Sequence, residues 1–189
     1  MMDVNEAIRW AWLAAGAIWA AGWYMTKRTA RAEPAASRVG HIVTFAVAFG
    51  LLFAPWLRPG PLGWRVVPFS TAATVAAIGL TLAGIGVAIW ARFSLGRNWS
   101  AVVEVKQGHT LVRKGPYRIV RHPMYAGLLT AMLGTALACG ELGALLGVVL
   151  AFAGWLAKAR LEESFLLLEF PQAYGEYRQR VRTLIPFVL

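Results

Sequence analysis

Two stretches of this chain hold most of the side chains able to grip or transform a small molecule. The first, residues 109–125, reads HTLVRKGPYRIVRHPMY and sets Arg113, Lys114, Arg118 and Arg121 beside Tyr117, Tyr125 and a Gly-Pro turn, with His122 a fifth cation when protonated. The second is the acidic pair Glu162-Glu163. Proline directly after His122, followed by an apolar run, reads as a helix start, because the first helical residue has no use for its N–H. The free amides and partial positive charge at such a start offer a seat to a carboxylate or phosphate. Carboxylates on a facing wall would hold a cation. Brought together, the two stretches suit a zwitterion of the amino-acid kind.

The elements that must position them are membrane helices. Of the 189 residues, 58% are hydrophobic and 15% charged, with mean hydropathy +0.55, against about 45–50% apolar in an ordinary soluble domain. Apolar runs at residues 7–25, 41–57, 67–90, 124–139 and 142–157 give five expected spans, the last two shorter than the ~20 residues that crossing a bilayer asks for. The first has no small-residue cleavage site before a polar region, so it reads as a retained helix and not a signal peptide. The Pro- and Gly-rich residues 58–63 mark a tight turn, and Gly140-Glu141 leaves room only for a helical hairpin. Gly79, Gly84 and Gly86 in the third run, and Gly143 and Gly147 in the fifth, are the small residues that let helices approach in lipid.

Charge sets the expected orientation. Sixteen of the 19 Lys and Arg fall in the first loop, the central polar segment (92–121) and the tail after residue 157; only Arg9, Arg58 and Arg65 fall on the other side. The positive-inside rule then puts the N-terminus outside and the C-terminus in the cytoplasm. The net charge of +10 is thereby accounted for without nucleic acid. One cysteine, Cys139, and three scattered histidines supply neither a disulfide nor a metal cluster. Residues 158–189 read as an amphipathic helix broken at Pro171, then a second one over residues 172–181. The fold expected is all-α: one polytopic membrane domain of about five helices with a helical tail over a pocket. The Ala-, Gly-, Arg- and Trp-rich composition reads as bacterial, hence an inner-membrane protein.

Plainer readings exist for each residue taken singly. Glu162 and Glu163 can be the solvated start of an amphipathic helix pairing with Arg160 or Arg121. His122 can be a helix cap, and Tyr117 and Tyr125 interface anchors. Tyr174 and Tyr177 read as packing residues, and His41 carries no weight alone.

Order and spacing carry more than the single residues. LVRKGPYRIVRHPMYAG, preceded by ARFSLGRNWS and followed by EESFLLLEFPQAYGEYRQRVRTLIP, resembles the isoprenylcysteine carboxyl methyltransferase family and its relatives among the phospholipid N-methyltransferases. The resemblance covers residues 91–186; the first two spans match only as apolar helices. It implies two N-terminal spans (1–66) ahead of a methyltransferase core (67–189), S-adenosyl-L-methionine as cofactor, and a lipophilic acceptor reached from the membrane lipids at the cytoplasmic face. By the same resemblance His109, Thr110, Leu111 and Val112 line the cofactor, Tyr117 is the tyrosine of the G-x-Y turn, and His122, Pro123, Met124 and Tyr125 form the HPxY box. Glu162 receives the cofactor's amino group with Glu163 beside it, and Glu104 falls near a family glutamine.

Lys158 stands where the carboxyl methyltransferases carry an acceptor-side arginine. Lysine lacks the bidentate fork, which makes Arg160 the alternative for that catalytic role. Methyl transfer from a sulfonium is an in-line displacement, so holding the reactants and excluding water are what the protein must supply. The resemblance places an oxygen acceptor first, with nitrogen and sulfur open. A membrane reductase of the sterol type, using NADPH, is the competing expectation. No strand leads into a G-x-G-x-x-G run, so a soluble dinucleotide domain is not expected.

Overall fold

The computed structural model describes residues 4–23, 29–96, 99, 104–106 and 111–188. Its helices are α1 (Val4–Trp23), α2 (Ala35–Phe53), α3 (Thr71–Leu95), α4 (Pro123–Cys139), α5 (Leu142–Glu169) and α6 (Pro171–Arg180). Two short segments, β1 (Thr29–Ala32) and β2 (Glu104–Lys106), pair antiparallel as a ribbon whose β2 strand touches α5. Among the described residues α2, α3 and α5 are long and apolar enough to cross a membrane, and α4 is a shorter apolar helix of 17 residues. Large apolar side chains on their outer faces, such as Ile42, Val75 and Val149, are exposed. Water offers no reason for such a surface; lipid does.

Small residues decide how the helices meet. A Cβ added to Gly84 of α3 would collide with the main chain of Gly127 and Ala131 on α4, and one on Gly134 would strike Ala77 and Thr81. The two helices therefore lie backbone against backbone, as van der Waals packing in lipid favours. Of the three α3 glycines expected to mediate contact only Gly84 does so; Gly79 and Gly86 face open space. Gly147 of α5 packs on the carbonyl of Ala48 in α2, while Gly143 meets Arg58 and Leu62. A polar clasp adds specificity: the Trp12 indole N–H of α1 donates to Thr135 Oγ1 on α4 at 2.9 Å.

The α4–α5 turn is closed by Gly140, the left-handed C-cap of α4 with φ 70°. A side chain there is strained. Its carbonyl accepts from Val66 and Val67 N–H, and Glu141 reaches the buried Arg58 at 2.9 Å.

Several boundaries differ from expectation. The second helix starts at Ala35, not residue 41, and stops at Phe53 because Pro55 opens a separate 3-10 turn. The fifth does not end near residue 157: α5 runs 28 residues through Lys158, Glu162 and Glu163 to Glu169. That is roughly 42 Å at 1.5 Å per residue, longer than the ~30 Å hydrocarbon core. The break falls at Pro171, as expected, and α6 then turns the chain back. Residues 182–183 lie alongside the start of α4, where Arg121 N–H donates to Arg182 O (2.7 Å) and His122 N–H to Thr183 O (3.0 Å).

Candidate functional site

The two polar stretches meet. His122 is the N-cap residue of α4, held by the Thr183 carbonyl, with Pro123 buried at the first helical position. One helical turn on, the Tyr125 ring lies parallel to the imidazole, centroids 5.5 Å apart. From α5, Trp155 stacks on Tyr125 at 6.0 Å, and Lys158 places its ammonium 5.7 Å from the same ring. Trp155, Lys158 and Glu162 recur at i, i+3 and i+7, one face of one helix.

The acidic pair divides its work. Glu163, buried, is gripped by Arg121: Nε to Oε1 at 2.8 Å and Nη2 to Oε2 at 3.1 Å, a bidentate fork. Arg178 of α6 approaches the same carboxylate at 3.7 Å, and Arg121 also donates to Thr183 Oγ1 and the carbonyls of Arg178 and Val181. Glu162 accepts the Tyr125 hydroxyl on Oε1 and meets His122 Nδ1 at Oε2, 3.4 Å away, with its side chain 23% exposed. A carboxylate has about four acceptor sites, so Glu162 keeps capacity for a further cation. Glu163 has none to spare.

His122 bridges the pair, since its Nε2 lies 3.2 Å from Glu163 Oε1. A neutral imidazole donates from only one nitrogen, so carboxylates at both favour the imidazolium. Burial alone would lower the His122 pKa, but hydrogen bonds and charge from Glu162 and Glu163 outweigh it and leave it raised. Nearby, the Tyr177 hydroxyl donates to the carbonyl of Tyr117, and burial pushes the Tyr177 phenol up to about 12. Burial, with the charge of Glu162, also raises the Tyr117 phenol well above its usual range. Both tyrosines stay neutral structural donors.

Of the residues expected at the site, His122, Pro123, Met124, Tyr125, Lys158, Glu162 and Glu163 are brought together at the mouth of α4, and Tyr117 is buried in the turn just before it. Leu111 and Val112 are half-buried, Val112 against the core that holds Tyr117, Met124 and Tyr125. Arg160 is exposed on the opposite side of α5 from Lys158, so the structure does not bring it to the cluster. His109 and Thr110 lie outside the described residues, and Glu104 is described only as backbone in β2. Trp155 and Thr183 were missed, whereas Arg121, offered by the sequence only as one possible partner of the glutamates, is the residue that closes Glu163. For Trp155 the signal was its helical spacing from Lys158 and Glu162.

Apolar helices around a buried, aromatic-lined charge cluster define a multi-pass membrane protein with a polar site at a helix mouth. Residues 72–173 match the phospholipid methyltransferase family model, and the chain belongs to that family. Protein-S-isoprenylcysteine O-methyltransferase B of Arabidopsis thaliana is 31% identical over 60% of this chain and 60% of its own length. The Xenopus laevis protein-S-isoprenylcysteine O-methyltransferase is 36% identical over 52% of this chain and 35% of its own. Cobalt-zinc-cadmium resistance protein CzcN of Cupriavidus metallidurans is 35% identical over 57% and 49%. A solved structure of the eukaryotic intramembrane Ras methyltransferase ICMT, isoprenylcysteine carboxyl methyltransferase, matches with TM-score 0.52 and 27% identity, over 81% of this chain and 52% of that one. The chain thus spans 60% or less of the length of these relatives. They bear out the sequence resemblance and do not favour the reductase expectation.

Proposed function

We infer that this protein is an integral-membrane methyltransferase that uses S-adenosyl-L-methionine and modifies a lipophilic acceptor. The observation that carries the reading is the mostly buried carboxylate of Glu162, oriented by Tyr125 and His122 yet with acceptor capacity left over. The donor set fits the cofactor's amino-acid end: Glu162 would take the ammonium, and the mouth of α4 with its cationic turn would face the carboxylate. When bound, S-adenosyl-L-methionine supplies a methyl group on a positively charged sulfur.

The chain's own part is positional. His122 and Trp155 clamp the Tyr125 ring from two sides and so fix the hydroxyl that aims Glu162. The segment at 182–184, with Leu184 buried, closes the cluster against water. Buried Lys158 is placed to hold an electron-rich acceptor atom near Tyr125, as a point charge and without a bidentate fork. Desolvation strengthens each of these interactions. A five-span topology with the C-terminus cytoplasmic belongs to the same proposal, supported by the distribution of Lys and Arg.

Calorimetry with S-adenosylhomocysteine on detergent-solubilised protein tests the reading. Saturable binding is expected, lost in Glu162→Ala. No binding, or binding that Glu162→Ala leaves untouched, would overturn it. Incubation with radiolabelled S-adenosyl-L-methionine and a lipid extract of the source would then identify the acceptor.

A further inference from the structure

Neither His122, Tyr125, Lys158 nor Glu162 lines two other spaces in the molecule. The first is a pocket of about 370 Å³ between the segment leading into α4 and the end of α6, walled by Arg113, Arg118 and Arg180 with Glu176, Tyr177 and Val181. Its three guanidiniums face one carboxylate, and no described residue forms an ion pair with any of the three. The second is an apolar groove of about 650 Å³. It begins at Pro116, Ile119 and Val120 and at Leu184, Ile185 and Pro186, then follows α4 inward past Thr130 to Leu133, flanked by Phe152 of α5.

Both spaces are built on the same two strips of chain. Arg118 lines the pocket and Ile119 the groove; Val181 lines the pocket and Leu184 the groove. From Pro123 to Leu133 the groove descends about 15 Å at 1.5 Å rise per residue. One leaflet of a ~30 Å hydrocarbon core has that depth. A cationic pocket beside an apolar groove one leaflet deep has the polarity of a phospholipid's complement.

We propose that Arg113, Arg118 and Arg180 bind the phosphate of an anionic phospholipid whose acyl chain lies in the α3–α4–α5 groove, a site separate from the one assigned to methyl transfer. Arginine suits this task because its planar fork pairs two phosphate oxygens at once. Three arginines at a membrane surface also favour a headgroup with net negative charge over a zwitterionic one. The proposal stands without the methyl-transfer reading, because its three arginines are none of the side chains assigned there, although Pro123 and Leu184 pack between the groove and the cluster.

The test is native mass spectrometry combined with lipid titration of the purified full chain in detergent, using phosphatidylglycerol and phosphatidylcholine of identical acyl composition. Phosphatidylglycerol is expected to bind at least tenfold more tightly. The triple variant R113Q/R118Q/R180Q, with all three changes on exposed side chains, is expected to erase that preference. Thr130→Trp, which fills the groove, is expected to weaken both lipids while leaving the preference intact. Inorganic phosphate and glycerol phosphate are expected not to displace the lipid. Equal binding of the two lipids, a preference that survives in the triple variant, or displacement by inorganic phosphate at the concentration of the lipid's Kd would each overturn the proposal, the last by assigning the pocket to a soluble anion.

Discussion

The two ends of α5 carry the same pair of residue types and use them differently. At the Glu141 end, Arg58 meets one carboxylate and spends further donors on the carbonyls of Leu51 and Leu52. That pair joins the α2 exit to the α4–α5 turn, and its carboxylate, 26% exposed, meets no histidine or tyrosine among the described residues that would aim it. At the other end Arg121 saturates Glu163 in the same manner, but one residue earlier a second carboxylate is aimed by Tyr125 and His122 and still partly open. The lesson is that an ion pair does not mark a site in a membrane protein. A carboxylate aimed by a histidine and a tyrosine beside a saturated one does, because ordering such a group near lipid costs free energy that packing does not return.

The sharpest way to break this contrast is to remove Glu163. Glu163→Ala leaves the Arg121 guanidinium without its carboxylate, and a loss of about 3–5 kcal/mol of stability is expected from breaking a buried pair, read as a lowered thermal transition in detergent. Next in size, Glu162→Gln keeps an acceptor for Tyr125 but removes the charge. Binding of S-adenosylhomocysteine by calorimetry is expected to weaken roughly 10- to 150-fold, the equivalent of about 1.5–3 kcal/mol for a hydrogen bond to a charged group.

Smaller again is Glu141→Gln. Its partner Arg58 retains two main-chain acceptors and Glu141 is 26% exposed, so a loss of about 1 kcal/mol with unchanged ligand binding is expected from thermal unfolding and calorimetry together. The smallest effect is one of pH. Because the folded His122 has a raised pKa, its bridge to the two glutamates is fully formed below the ordinary histidine value of about 6.5 and is lost as pH rises through the folded value. Thermal stability of the ligand-free protein should therefore decline as pH is raised above about 6.5, and His122→Gln should flatten that decline.

Much of this was legible in the chain itself. Pro123 after His122 marked the start of α4 correctly, because proline has so few tolerated places in a helix. The double glutamate and the RHPMY box were rightly expected to meet. Less legible was the continuation of α5 past residue 157. Charged side chains from Lys158 onward look like an exit from lipid, but Glu163 is neutralised by Arg121 from another element, so nothing ends the helix before Pro171. Local pattern offers Arg121 and Arg160 alike as partners and does not choose between them. The residues by themselves gave Glu162 and Glu163 one shared reading and only the resemblance singled out Glu162; the 100° between them on the helix sends one into a closed cage and the other toward the cluster. Arg160 stood in the right stretch of sequence but on the wrong face, a distinction that helical phase against Glu162 and Trp155 would have drawn. The packing of residues 182–183 on the start of α4 left no pattern at all, since those contacts run through the main chain.

The division of labour between the two glutamates is tested most directly by thermal unfolding of Glu162→Gln and Glu163→Gln, side by side, with and without saturating S-adenosylhomocysteine. Glu162→Gln should unfold near the temperature of the unsubstituted protein and gain far less from the ligand, while Glu163→Gln should unfold earlier yet still be stabilised by it. The reverse pattern, a ligand response kept by Glu162→Gln and lost from a Glu163→Gln protein of unchanged stability, would contradict the account.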